Sequence, residues 1–196
     1  MKTQHTELAQ FIREIATLEG SFQLASGRTS TYYIDGKLVT CDPHGLQLIT
    51  RAIRAELAEF HVGAIGGLEN GAIPIAVAVA CDTAQTENPI PAFFVRKHVK
   101  SHGTKESIEG ILPRPGGQVA IVDDVVTTGE SIIKAINAVE AKGSSVTVAI
   151  SIVDRLSGAT EALAERNVPY RPLLTIKDLG LSNEQVSTGK LQKAAG

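Results

Sequence analysis

An α/β architecture, with a central, mostly parallel sheet flanked by helices, is predicted by three features of the sequence. Short, continuous apolar runs alternate with stretches of helical period, the pattern of strands covered on both faces. The 196 residues suit one domain. A domain of that size hides roughly 70% of its unfolded surface and needs no disulfide staples. No internal repeat or low-complexity tract points to a solenoid or a fibre.

The elements follow in order. Leu8, Phe11, Ile12, Ile15 and Leu18 recur at helical spacing and Gly20 ends the run, predicting a helix over 6–19. Residues 22–24 and 31–34 read as short strands around the turn Ser26-Gly27-Arg28. Asp42 is an N-cap with Pro43 at the first helical position, and Leu46, Ile49, Ile53, Leu57 and Phe60 mark one buried face to about residue 60. Residues 62–65 form a strand, 66–71 a glycine-rich bend and 72–81 an apolar segment. Strands follow at 92–95 and 118–122, a helix at 131–142, a long buried strand at 145–153, a helix at 158–166 and a last strand at 170–174. Beyond about residue 181 the chain is a polar tail.

Composition narrows the class of function. Lys and Arg number 19 against 21 Asp and Glu, a balance that argues against a general nucleic-acid binder. Cys41 and Cys81 stand far apart with no CxxC, so free thiols in a reducing compartment are expected. The polar first residues lack a signal-peptide core, and the apolar run 73–81 is far shorter than the roughly 20 residues of a membrane span. A cytoplasmic protein with no membrane partner is expected.

Two segments resist a packing explanation. Residues 97–117 make a long hydrophilic connection between buried strands, well beyond the usual length, as lids and binding loops do. The bend ending at Gly71 is the other. Both start at carboxyl ends of strands, where open parallel sheets bind ligands.

The sharpest signal lies at 119–131. An apolar strand ends in adjacent carboxylates, Asp123 and Asp124, then Val125, Val126 and the turn Thr127-Thr128-Gly129, with Glu130 and Ser131 opening a helix. A helix start with hydroxyls beside it suits a monoester phosphate. No Walker loop or dinucleotide fingerprint is present. Adjacent carboxylates would repel that phosphate unless they hold something else. The vicinal hydroxyls of a ribose fit, as does a bridging Mg²⁺. A sugar with a terminal phosphate satisfies both halves.

This run resembles the signature of type I phosphoribosyltransferases, which bind 5-phosphoribosyl 1-diphosphate (PRPP). Three further stretches resemble the orotate phosphoribosyltransferase branch: the amino-terminal motif at 22–35, the loop from Arg96 and Lys97 through Lys100 and His102 to Gly103, and Asp154-Arg155. The resemblance spans about residues 8–181, every motif in the family's order. It implies the type I fold over residues 1–196, with an N-terminal helix and base-binding hood over about 1–40 and a mobile catalytic loop over about 97–117. It also implies Mg²⁺-dependent transfer from PRPP to N1 of orotate, and a homodimer whose loop serves the neighbouring site.

Carried over by position, Asp123 and Asp124 bind the ribose hydroxyls, and Val125, Val126, Thr127, Thr128, Gly129, Glu130 and Ser131 form the PRPP loop around the 5-phosphate. Arg96, Lys97, Lys100 and His102 contact the diphosphate, as does the backbone of 67–71 up to Gly71. Lys100, His102 and Asp124 are the expected catalytic groups. Tyr33, Ile34, Ser26, Thr127 and Arg155 line the orotate pocket. Mg²⁺ is held mainly through PRPP, with Asp123 and Asp124 as further donors. Some family members carry lysine at the positions of Ala25 and Gly71; those two contacts do not transfer.

Blander readings stand beside these. Lys97, Lys100 and Lys105 fit a solvated basic face, Arg155 an ion pair with Asp154, and the alternation of Tyr32 and Tyr33 puts one of them in the core. A purine or uracil enzyme of the same fold should lack the hood motif and the basic loop. A PRPP-sensing regulator should add a nucleic-acid-binding element.

Overall fold

The computed structural model describes residues 3–23, 29–97 and 107–182. Helix α1 (Thr3–Ile15) buries Leu8 and Ile12 on its inner face. It stops short of residue 19, where helical spacing had carried it. The amide of Ala16 and the hydroxyl of Thr17 both donate to the Ile12 carbonyl (3.0 and 3.1 Å), closing the last turn. Strand β1 (Thr17–Gln23) starts at once and pairs antiparallel with β2 (Thr29–Ile34). Gly20 therefore lies inside a strand, with φ 157° at an irregularity in the pairing.

Asp35 then caps a short helix that periodicity had not revealed, α2 (Gly36–Thr40), by accepting from the Lys37 amide at 3.1 Å. The Asp42 cap is where the sequence places it. Its carboxylate accepts from the amides of His44 and Gly45 (2.9 and 2.8 Å) and opens α3 (Pro43–Leu57), which ends three residues short of Phe60.

The sheet comprises β3 (Ala64–Leu68), β4 (Ala92–Val95), β5 (Ile108–Gly110), β6 (Gln118–Val126), β7 (Ser145–Asp154) and β8 (Tyr170–Thr175), in the order β5-β4-β3-β6-β7-β8. Its pairings are parallel except β4–β5. Helices α4 (Ala72–Thr83), α5 (Glu130–Glu140) and α6 (Ala159–Ala164) complete the described elements. One apolar cluster joins α1, α3 and α4 to one face of the sheet; a second joins α5 and α6 to the other. Alternation along β6 makes the division, with Ala120 and Val122 in the first cluster and Val119 and Ile121 in the second. No helix among the described residues is long and apolar enough to cross a membrane.

Three differences from the sequence reading bear on function. The connection over 97–117 is not structureless, because Ile108–Gly110 forms an antiparallel edge strand on β4. Strand β6 runs on through both aspartates to Val126 instead of ending at residue 122. Strand β3 passes straight through Gly66 and Gly67, which had been assigned to a bend. Those two glycines serve close packing. A Cβ at Gly66 would strike the carbonyl oxygen and ring of Phe93, and one at Gly67 would strike the carbonyl oxygen of Val122 and lie 2.7 Å from the Ala72 Cβ. Gly67→Ala should thus destabilise the protein by about 1–3 kcal/mol, a forced-overpacking cost read as a lower urea midpoint at an unchanged slope.

Candidate functional site

Gly71, Asp123, Asp124 and Arg155 lie at or just beyond the carboxyl ends of β3, β6 and β7. Successive residues of β6 leave the strand on opposite faces of the sheet, yet one carboxylate oxygen of each of Asp123 and Asp124 comes back beside Gly71. Asp123 is 7% exposed and turns toward α5, where the Ser131 hydroxyl donates to its Oδ2 at 2.5 Å. Its Oδ1 accepts from the Asp124 amide at 3.0 Å. Asp124 is half-buried, and its Oδ1 accepts from the Val125 amide at 2.8 Å. Burial first, and then the charge of Asp124, push the Asp123 carboxyl up to about 7, against the opposing pull of the Ser131 hydrogen bond.

Two glycines make room for this pair. A Cβ at Gly71, where α4 begins, would lie 2.5 Å from Asp124 Oδ1 and 2.6 Å from Asp123 Oδ1. A Cβ at Gly36 would lie 2.6 Å from Asp124 Oδ2. The missing lysine at 71 thus has a local reason: the backbone runs against both carboxylates.

The loop after β6 leaves the start of α5 without a side-chain cap. Gly129 sits at φ 84°, a left-handed turn that favours glycine, and precedes α5 with no side-chain cap. Helices α2 and α3 each spend an aspartate on that task. Thr127 is half-buried and Thr128 exposed, whereas Val126 is in the core, so Val126 offers a ligand only its backbone. Glu130 is exposed and its charge is paired with Lys134 at 2.6 Å, one turn along.

At the end of β7, Arg155 is 6% exposed. Its amide donates to the Val126 carbonyl (2.8 Å), joining it to the same loop. Its Nη2 donates to Ser30 Oγ at 3.0 Å, and the guanidinium lies 4.7 Å over the Tyr32 ring. The Ser30 hydroxyl in turn donates to the Tyr32 carbonyl at 2.7 Å. Asp154 Oδ1 accepts from the Leu156 amide at 2.8 Å, and burial raises its carboxyl above the usual range. Strand β2 alternates strictly, sending Ser30, Tyr32 and Ile34 inward and Tyr33 outward. Ile34 is in the core, and Tyr33 is exposed against the Phe22 ring at 5.7 Å. Ser30 and Tyr32, not singled out as site residues in the sequence, are what the hood brings to Arg155. A strict reading of the period-two pattern would have found them.

Arg96 is held at the mouth of the β4–β5 pair. Its Nε and Nη2 each lie 2.9 Å from Glu109 Oε1, and its guanidinium is 5.8 Å from the Phe94 ring centroid. The exposed Lys97 donates its amide to Glu69 Oε1 at 2.8 Å, tying this strand end to the turn before Gly71, where the Glu69–Asn70 peptide is cis. Glu69 and Glu109 were not legible as site neighbours, because their partners are brought close only by β4 and β5. Lys100, His102 and Ser26 lie outside the described residues, as does Ala25.

Comparison with known proteins decides the family. The phosphoribosyl transferase domain model matches residues 42–171. The orotate phosphoribosyltransferase of Rhodopseudomonas palustris (strain BisB5) is 43% identical over 169 residues, covering 85% of this chain and 90% of that protein. This chain belongs to the orotate phosphoribosyltransferase family. Its relative in Aquifex aeolicus (strain VF5) is 43% identical over 82% of this chain and 87% of its own length. The Mycobacterium tuberculosis H37Rv orotate phosphoribosyltransferase, solved in complex with 5-phospho-alpha-D-ribosyl 1-diphosphate, superposes with a TM-score of 0.76 at 35% identity, covering 91% of this chain and 99% of that one.

A raised carboxyl has a defined sign in stability. The folded protein holds the Asp123 proton to higher pH than the unfolded chain does, so native stability falls as the pH rises from the ordinary value of 3.8 to about 7, and lowering the pH through that window restores it. Asp123→Asn should therefore raise the melting temperature at about pH 8, with the gain shrinking as the pH falls below about 7 and closing only near pH 4, measured by thermal unfolding across pH.

Proposed function

We propose that the protein is an orotate phosphoribosyltransferase in action as well as in family: it transfers the 5-phosphoribosyl group of PRPP to N1 of orotate, giving orotidine 5-monophosphate and diphosphate, a step of pyrimidine (UMP) biosynthesis. The observation that carries this reading is the adjacency of Asp123 and Asp124 to the uncapped start of α5 at the end of β6. Carboxylates accept hydrogen bonds from ribose hydroxyls, while helix amides and the hydroxyls of Thr127 and Thr128 donate to the 5-phosphate. The structures and names of the relatives support the substrates.

The reaction breaks the bond from C1 to the diphosphate oxygen, forms one from C1 to N1 of orotate, and releases the N1 proton. Positive charge develops on the ribose ring and negative charge on the leaving group, so positioning and electrostatics carry most of the catalysis. Arg155 is the candidate for the anionic edge of orotate: it is permanently charged, buried, and oriented by Ser30 and Tyr32. Arg96, Lys97, Lys100 and His102 are assigned to the diphosphate on the family's pattern, with Arg96 leaving or sharing Glu109 as it does so. Val125 and Gly71 contribute backbone and close approach.

The donor set suits a magnesium ion carried on the substrate. No cluster of three or more His, Cys, Asp or Glu that could hold an ion occurs among the described residues. The carboxylates of Asp123 and Asp124 supply one or two oxygens beside the phosphates, the usual protein share for Mg²⁺. When bound, the ion neutralises diphosphate oxygens and eases their departure. A homodimer in which residues 97–117 serve the neighbouring site, and a cytoplasmic location, complete the proposal and rest on the family's pattern.

The test follows the loss of orotate absorbance with PRPP and Mg²⁺, with uracil, xanthine and adenine in parallel. Orotate alone should be consumed, and Lys100→Ala should lower kcat by about 10²–10³ with little change in PRPP binding. Consumption of another base in place of orotate would overturn the assignment of Arg155 and the hood, while sparing the PRPP site.

A further inference from the structure

Asp154 is a buried carboxylate with no part in the reaction proposed above. It is the last residue of β7 and is 1% exposed, so it needs donors close by. An ion pair with Arg155 is the reading that adjacency in sequence suggests. The structure sends the two side chains to different partners. The Arg155 guanidinium turns to Ser30 and the Tyr32 ring, while Asp154 Oδ1 accepts from the Leu156 amide at 2.8 Å. A backbone amide can only donate, so the direction of this bond is fixed whatever the charge on the carboxyl.

That bond closes a ring around one residue. An aspartate oxygen and the amide two residues on form an Asx turn, and the residue enclosed here is Arg155. The turn delivers Leu156 at φ 53°, in the left-handed region that a leucine seldom enters. The other backbone groups of Arg155 are tied as well. Its amide donates to the Val126 carbonyl at 2.8 Å, and its carbonyl accepts from Ser157 Oγ at 3.3 Å. Arginine carries its charge at the end of a long, flexible stem, so a small change in the backbone at its base moves the guanidinium far. We propose that Asp154 is a positioning residue for base recognition: its carboxylate fixes the backbone of Arg155, and through it the guanidinium that receives the anionic edge of orotate.

This inference rests on the reading of Arg155 as the contact for orotate. The test measures kcat and KM for orotate and for PRPP in wild type, Asp154→Ala, Asp154→Asn, Asp154→Ser, Arg155→Ala and the double alanine variant, with thermal unfolding of each. Asp154→Ala should raise KM for orotate about tenfold, the scale of one hydrogen bond to a charged group, and leave KM for PRPP within about twofold. Asp154→Asn, whose side-chain oxygen still accepts from Leu156, should bring KM for orotate back close to wild type. Added to Arg155→Ala, Asp154→Ala should cost orotate nothing more, because the group it positions is already gone. Equal rises for both substrates, no recovery with asparagine, or a full additional loss in the double variant would overturn the proposal. If the alanine protein does not fold, Asp154→Ser decides: its hydroxyl makes the same turn more weakly, so KM for orotate should rise about two- to threefold, and an unchanged value would overturn the proposal. An Arg155→Ala defect beside a normal Asp154→Ala would overturn this inference alone, while an Arg155→Ala protein with wild-type orotate kinetics would overturn the base assignment with it.

Discussion

The site depends on two carboxylates being pressed against glycine backbone. Asp123 and Asp124 sit side by side on β6, where burial and the neighbouring charge of Asp124 oppose ionisation of Asp123, and Gly36 and Gly71 approach the pair more closely than any side chain would allow. The same constraint recurs at β3, where Gly66 and Gly67 let β4 and β6 close on a central strand. The glycine-rich stretch before α4 is therefore less a flexible loop than a set of close contacts, ending at the turn that borders the carboxylates.

Electrostatics divides the labour among the elements around this pair. The α5 start offers uncapped amides; Arg155 offers a permanent charge held by Ser30 and Tyr32; Arg96 is parked on Glu109 beside the end of β4. Each cation is held by protein partners before any ligand arrives, which lowers the ordering cost of binding. The ties are also structural. The Arg155–Ser30 contact links the hood to the end of β7, and the Lys97–Glu69 contact links the β4–β5 end to the turn before Gly71.

Much of this was legible in the chain. The Asp42-Pro43 cap, the parallel alternation and the Asp-Asp, Thr-Thr-Gly run each have a local cause, in capping chemistry, apolar period or the needs of a phosphate, and local causes can be read from neighbours in sequence. What escaped reading depended on distant partners. Gly20 looks like a helix stop but lies at a strand irregularity because β2 pairs across it. Ile108–Gly110 is too short to show a period and becomes a strand only on β4. Ile34 matches a family position for the base, yet strand alternation delivers it to the core and brings Tyr32 to Arg155. Ser131 lies in a phosphate motif, but its contact with Asp123 is visible only once β6 places that residue opposite it.

The central claim is that the carboxylate pair on β6 receives the ribose and the start of α5 receives its phosphate. A crystal structure of the protein with PRPP and Mg²⁺ tests it most directly. The account predicts the ribose hydroxyls within hydrogen-bond distance of Asp123 and Asp124, and the 5-phosphate on the amides of residues 129–131. A sugar bound elsewhere, with both carboxylates turned to protein donors alone, would contradict it.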